Sequence, residues 1–306
     1  MPMAWLVPNG KKSYTVYYYR ILSFEKGATM RKYLAALAAL ALGHFTTGVQ
    51  AQNYSTGSIN TYNTCGAGPD LPLSNSAAAG FRSWYSFAGI PNVTRWENDD
   101  VWNTDFTDGP GKDMDASGGS DLPNIYLFVG HGSCQNPPSA TNPDYLVTCS
   151  HGSLGFTDVG RSSRWGNAGG RLQFALIDAS CPMDLVSLSQ NWFPPFQGLH
   201  VATGHSGTAS HDTYNSSSRA GNYASRTVGF GVTLPLVGTI WLIPREPVTW
   251  AWMDTGLEDV QDQVCAVAIA NDATRDAAIN RRDNEFVSPP WGNPSGNWYA
   301  WRWVCK

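Results

Sequence analysis

A thiol and an imidazole delivered to one place can cleave an acyl bond. The imidazole takes the thiol proton, the thiolate attacks, and backbone amides hold the oxyanion. His131 stands in Gly130-His131-Gly132-Ser133, directly after the apolar run at residues 124–129 (NIYLFV). Cys181 stands in Asp178-Ala179-Ser180-Cys181, directly after the run at 172–177 (LQFALI). In this pattern Cys181 is the expected nucleophile and His131 the general base, then acid. The backbone N–H groups of Gly132 and Cys181 are the expected oxyanion donors, since a glycine lets substrate approach closely. Asp178 and His205 are expected to orient the substrate.

The elements that must position these side chains follow from hydrophobic patterning. Short apolar runs bounded by turn residues predict buried strands. Besides the two above, such runs occur at 199–203 (LHVAT), which leads into His205, and at 266–270 (AVAIA). Connections of twenty residues or more separate them. Helix-like spacing is present at 76–87, 249–260 and 272–282. Runs apolar on both faces that alternate with helices predict an α/β fold: three layers, α/β/α, around a mainly parallel sheet. In such a sheet ligands bind beyond the carboxyl ends of the strands, where His131 and Cys181 are expected. Residues 52–75 read as a polar lead-in, and 99–123 as an acidic, glycine-rich loop. The alternation of Tyr299, Trp301 and Trp303 predicts one face of a strand, suited to packing more than to stacking on sugars.

A strand followed by His-Gly, then a strand followed by Ala-x-Cys about 50 residues later, resembles the caspase, legumain and gingipain group of cysteine peptidases. The chain also resembles an uncharacterised secreted bacterial family of that layout. The matching stretches are Gly130-His131-Gly132, Ile177-Asp178-Ala179 with Cys181, Trp192 through His200, the segment 204–212, and Trp250-Ala251-Trp252. The resemblance implies a caspase-like fold and a peptide or other acyl substrate. Two departures stand out: Ser180 separates alanine from cysteine, and Pro182 removes a backbone donor beside it.

Cysteine parity opens a competing reading. Six cysteines, at 65, 134, 149, 181, 265 and 305, favour disulfides in an exported chain. Cys134–Cys149 is the first bridge expected and Cys265–Cys305 the second. Cys65 and Cys181 then remain, either joined or both free. On this reading the chain is a non-catalytic, disulfide-stabilised binding protein on the same scaffold, with its cleft or its tryptophan-rich tail engaging a surface polymer.

No cofactor is required by either reading. Asp113, Asp115, Ser117 and Asp121 match the opening half of a calcium loop, with Asn124 where a bidentate Glu belongs, so a structural calcium or a solvated acidic loop is expected there. His131, His151, His205 and His211 fit no standard zinc spacing.

Residues 1–51 read as an upstream extension and a signal peptide: Met30-Arg31-Lys32, an apolar stretch at 33–42, and Val49-Gln50-Ala51 as a cleavage site. The remainder, 52–306, is expected to be one domain, secreted or periplasmic in a bacterium, with no membrane anchor in the mature form. A net charge of −4 provides no basic stripe for nucleic acid.

Overall fold

The computed structural model describes residues 52–305 apart from 113, 117, 135–144, 151, 167–169, 210–213, 235–237, 259–263, 288–291, 293 and 295. In chain order the elements begin with β1 (Tyr54–Ser58), α1 (Ser74–Phe87), β2 (Asn92–Glu97), β3 (Ile125–Val129), β4 (Gly132–Ser133), β5 (Tyr145–Ser150) and β6 (Ser153–Thr157). There follow α2 (Val159–Ser162), β7 (Phe174–Asp178), α3 (Leu188–Trp192), β8 (Val201–Ser206) and α4 (Tyr214–Val228). The last elements are β9 (Phe230–Leu234), β10 (Gly238–Ile243), α5 (Val248–Glu258), β11 (Cys265–Asp272), α6 (Arg275–Asn284) and β12 (Trp298–Cys305).

Seven strands form one mixed sheet in the order β12-β11-β8-β7-β3-β1-β2. The five from β8 to β2 run parallel, and β11 and β12 are antiparallel to their neighbours. The fold is therefore α/β with a mainly parallel sheet, as the alternation of apolar runs and helices predicts. β3 and β7 lie side by side, with Val129 opposite Asp178, so the segments carrying His131 and Cys181 leave the same edge.

Period-two alternation sends each strand's side chains into two cores. Ile125, Leu127 and Val129 face one core, where Phe81 and Tyr85 of α1, Tyr223 of α4 and Trp252 of α5 pack. Tyr126 and Phe128 face the other, filled by Phe106, Leu146, Trp165 and Trp192. The first face is helical. The second is covered largely by α2, α3, loops and the small sheet β4-β5-β6, so the third layer is only partly helical. Gly80 and Gly221 let α1 and α4 approach: a Cβ on Gly80 would stand 3.4 Å from the Gly221 Cα.

The polar lead-in expected at 52–75 is corrected. Residues 54–58 form β1, buried throughout and paired with both β2 and β3. Its Ser and Thr groups are tolerated inside because they are hydrogen-bonded: Ser58 Oγ donates to Asn75 Oδ1 at 2.8 Å, and Ser55 Oγ accepts from Thr94 N–H at 3.1 Å.

Candidate functional site

The carboxyl edge of β3 opens into a cleft of about 500 Å³. One wall is the loop 66–69, another is His131, Gly132 and Ser133, and the rest is Val147, Leu154 and Phe156 from β5 and β6. Leu154 and Phe156 are 43 % and 50 % exposed, so this wall is apolar and open to solvent.

His131 is fixed by four contacts. Its backbone N–H donates to the Tyr62 hydroxyl at 2.7 Å, and its carbonyl accepts from Val147 N–H at 3.0 Å. Its ring packs on that of Tyr62, centroids 4.3 Å apart. Nε2 lies 2.7 Å from the Pro69 carbonyl, which can only accept, so Nε2 carries the proton and Nδ1 offers a lone pair. Burial pushes the Tyr62 hydroxyl far above its ordinary pKa, which holds it as a neutral donor, here to the Val147 carbonyl.

Cys181 follows β7 as expected, but its sulfur is bonded to Cys134. The other bridges are Cys65–Cys149 and Cys265–Cys305, and no cysteine is free. Of the expected bridges only Cys265–Cys305 is present. Cys134–Cys149 is replaced because β4 carries Cys134 toward the end of β7, while β5 carries Cys149 under the loop that starts at Cys65. In this bridged form Cys181 is not the expected nucleophile, since a disulfide sulfur has no thiolate to attack with. The oxyanion assignment changes too. Cys181 N–H donates to the Gly207 carbonyl at 2.9 Å. Gly132 is a glycine for packing, since a Cβ there would stand 1.9 Å from the Ser180 carbonyl oxygen. Cys181 also holds a left-handed backbone, φ +62°, uncommon for a residue with a side chain.

Asp178 and His205 do meet, at the ends of neighbouring strands, with Asp178 Oδ1 and His205 Nε2 3.1 Å apart. They are buried rather than facing the cleft. Arg219 of α4 lies between them, its Nη1 2.8 Å from Asp178 Oδ1 and 2.7 Å from His205 Nε2. Two hydrogens on one guanidinium nitrogen serve both acceptors. Trp252 packs on the His205 ring at 5.0 Å. The group is a structural node beneath the site, which corrects its expected role in orienting substrate. Arg219 is not evident from the sequence, because no apolar run announces its helix.

Asp113 and Ser117 of the calcium pattern lie outside the described residues, as do His151 and His211. Asp121 turns inward. Both its carboxylate oxygens lie within 2.9 Å of Gly166 N–H, and Oδ1 also accepts from Leu172 N–H at 2.9 Å. Its side chain is hydrogen-bonded to Asp115, and burial pushes its pKa up to about 8. Among the described residues, no three His, Cys, Asp or Glu gather as they would around a metal ion.

A model of a protein family, a domain of unknown function called DUF6345, matches residues 56–303. The chain belongs to that family. A comparison with proteins of curated function finds no match. DUF6345 carries no activity with it, so chemistry has to be argued from the cleft itself. The match runs from within β1 to within β12, so it takes in the cleft and the Cys65–Cys149 and Cys134–Cys181 bridges, while Cys305 of the third bridge lies two residues beyond it.

Proposed function

We propose that this DUF6345 domain is an extracytoplasmic binding protein that holds its ligand in the cleft at the end of β3. The observation that carries the reading is the Cys134–Cys181 bridge, which removes the thiol from the strand end where hydrolysis needs it while the adjoining cleft stays open. The ligand class is a peptide or other acyl compound with an apolar group. That group rests on Leu154 and Phe156, and a donor reaches Nδ1 of His131. Three disulfides support a setting outside the reducing cytoplasm, in keeping with the leader expected at 30–51. Among the described residues no helix is long and apolar enough to cross a membrane.

The test is a random decapeptide array probed with the unreduced protein, beside iodoacetamide labelling without reductant. The expected outcome is selective retention of peptides with apolar side chains, weakened about tenfold by His131→Ala or Phe156→Ala, together with no alkylated cysteine. Rapid alkylation of Cys181, or cleavage of the bound peptides, would sink the binding reading.

One observation favours a second reading, a caspase-like cysteine hydrolase. Cys181 sits at the end of β7, beside the strand bearing His131, in a strained left-handed conformation of the kind that clusters at active sites. This reading requires an external dithiol to reduce the bridge and become oxidised in exchange. Peptide hydrolysis that starts on adding such a dithiol, and is absent in Cys181→Ser and His131→Ala, would select it.

A further inference from the structure

Beyond the cleft, β9 and β10 form a two-stranded antiparallel sheet separate from the main one. Between Arg226 and Arg245 the sequence has no charged residue, and 230–244 reads FGVTLPLVGTIWLIP. Ile240, Trp241 and Leu242 are 46 %, 41 % and 61 % exposed. Consecutive strand residues point to opposite faces, so the exposed apolar side chains lie on both faces of the hairpin. Phe87 at the end of α1, also exposed, meets Phe230 with ring centroids 5.7 Å apart and extends the patch.

An isolated two-stranded hairpin is marginal in water, and an exposed apolar patch of this kind marks an interaction surface. A flat protein surface covers one face of a ribbon, whereas hydrocarbon covers both. At the base the character changes within one cleft of about 370 Å³. Leu242, Ile243 and Pro244 line one side, and Asn222, Ser225, Arg226 and Glu246 the other. That step from apolar to polar, with a tryptophan next to it, matches the junction of acyl chains and headgroups.

We propose that the β9–β10 hairpin docks the protein on a phospholipid bilayer by shallow insertion into this interfacial layer. The outer strand edges need hydrogen-bond partners, which limits penetration to headgroup depth, where water and ester groups supply them. Attraction comes from apolar burial and not from charge. Arg226 is paired with Glu246 at 2.7 Å, and the whole chain carries −4. Zwitterionic lipid is therefore the preferred surface.

Flotation of the full chain with phosphatidylcholine vesicles tests this, at about 0.1 M and about 1 M salt, where screening lengths differ about threefold. The protein should float equally at both, and its tryptophan fluorescence should be quenched by brominated phosphatidylcholine. Ile240→Ser with Leu242→Ser, both exposed, should cut vesicle binding about tenfold and leave the melting temperature unchanged. Absence of flotation, flotation indifferent to the double variant, or binding lost at high salt would each overturn the proposal. A dimer in light scattering that the double variant dissolves would overturn it too, by assigning the hairpin to a second copy.

Discussion

Cys181 combines a cost and a gain, a left-handed backbone and a stabilising bridge, and each can be measured apart. Removing Cys134–Cys181, whose partners are 47 residues apart in sequence, should lower stability by about 4 kcal/mol. Cys134→Ser with Cys181→Gly should lose about 1 kcal/mol less than Cys134→Ser with Cys181→Ser, because glycine takes φ +62° without strain. Chemical denaturation of the two variants reads the difference directly. Asp121 offers a second test at this scale. Its folded pKa, about 8, lies above the ordinary 3.8, chiefly because burial disfavours the charge, so the folded state holds a proton the unfolded chain has released. The stabilisation is complete below about pH 4 and is lost as pH rises toward 8, at up to about 1.4 kcal/mol per pH unit. Asp121→Asn keeps a neutral group there. Its melting temperature should vary less between pH 5 and 8 than that of the parent, and an identical slope would rule Asp121 out as the source.

Helix α4 is tied to the sheet by Arg219, and the element depends on that contact in a way the isolated residue does not reveal. Arg219→Ala leaves the Asp178 carboxylate buried without its cation and should cost about 3–5 kcal/mol by denaturant melts. Arg219→Met combined with Asp178→Asn removes both charges and should recover part of that loss. Gly170→Ala should be as damaging as a core truncation. Its Cβ would stand 1.7 Å from Asp121 Oδ2 and push that carboxylate off the Gly166 and Leu172 N–H groups. The strands that can be read from sequence are those apolar on both faces. β3, β7, β8 and β11 appear in the sequence within two residues of their structural bounds at most ends, because strands buried on both faces, parallel or not, are built from apolar runs. β1 is invisible by the same logic. Tyr-Ser-Thr-Gly-Ser has a loop's composition, and its burial depends on hydrogen bonds from elements far along the chain. The site divides likewise. His131 and Cys181 were legible as neighbours because strand ends bring them together. The loop 66–69, the wall of Leu154 and Phe156, and Arg219 were not, since tertiary packing alone assembles them.

Across the molecule, the three bridges tie different parts. Cys65–Cys149 joins the loop after β1 to β5, Cys134–Cys181 joins β4 to the end of β7, and Cys265–Cys305 staples β11 to β12. Two of them therefore border the cleft, Cys65 next to its lining residue Gly66 and Cys134 next to Ser133, while the third joins β11 to the edge strand β12. Numbered along the chain, the cysteines pair first with third, second with fourth, and fifth with sixth. The first two bridges interleave. In a chain exported N-terminus first, Cys134 would emerge 15 residues ahead of Cys149, so an oxidant acting strictly in order of arrival would couple Cys65 with Cys134, the wrong partner. β1 must likewise wait for β3, some 70 residues later, before it has its full set of neighbours. For a chain exported in that way the interleaved pairing predicts that native bridges form through disulfide exchange once Cys181 is available, so oxidative refolding of the reduced protein should be faster with a disulfide isomerase than with oxidant alone.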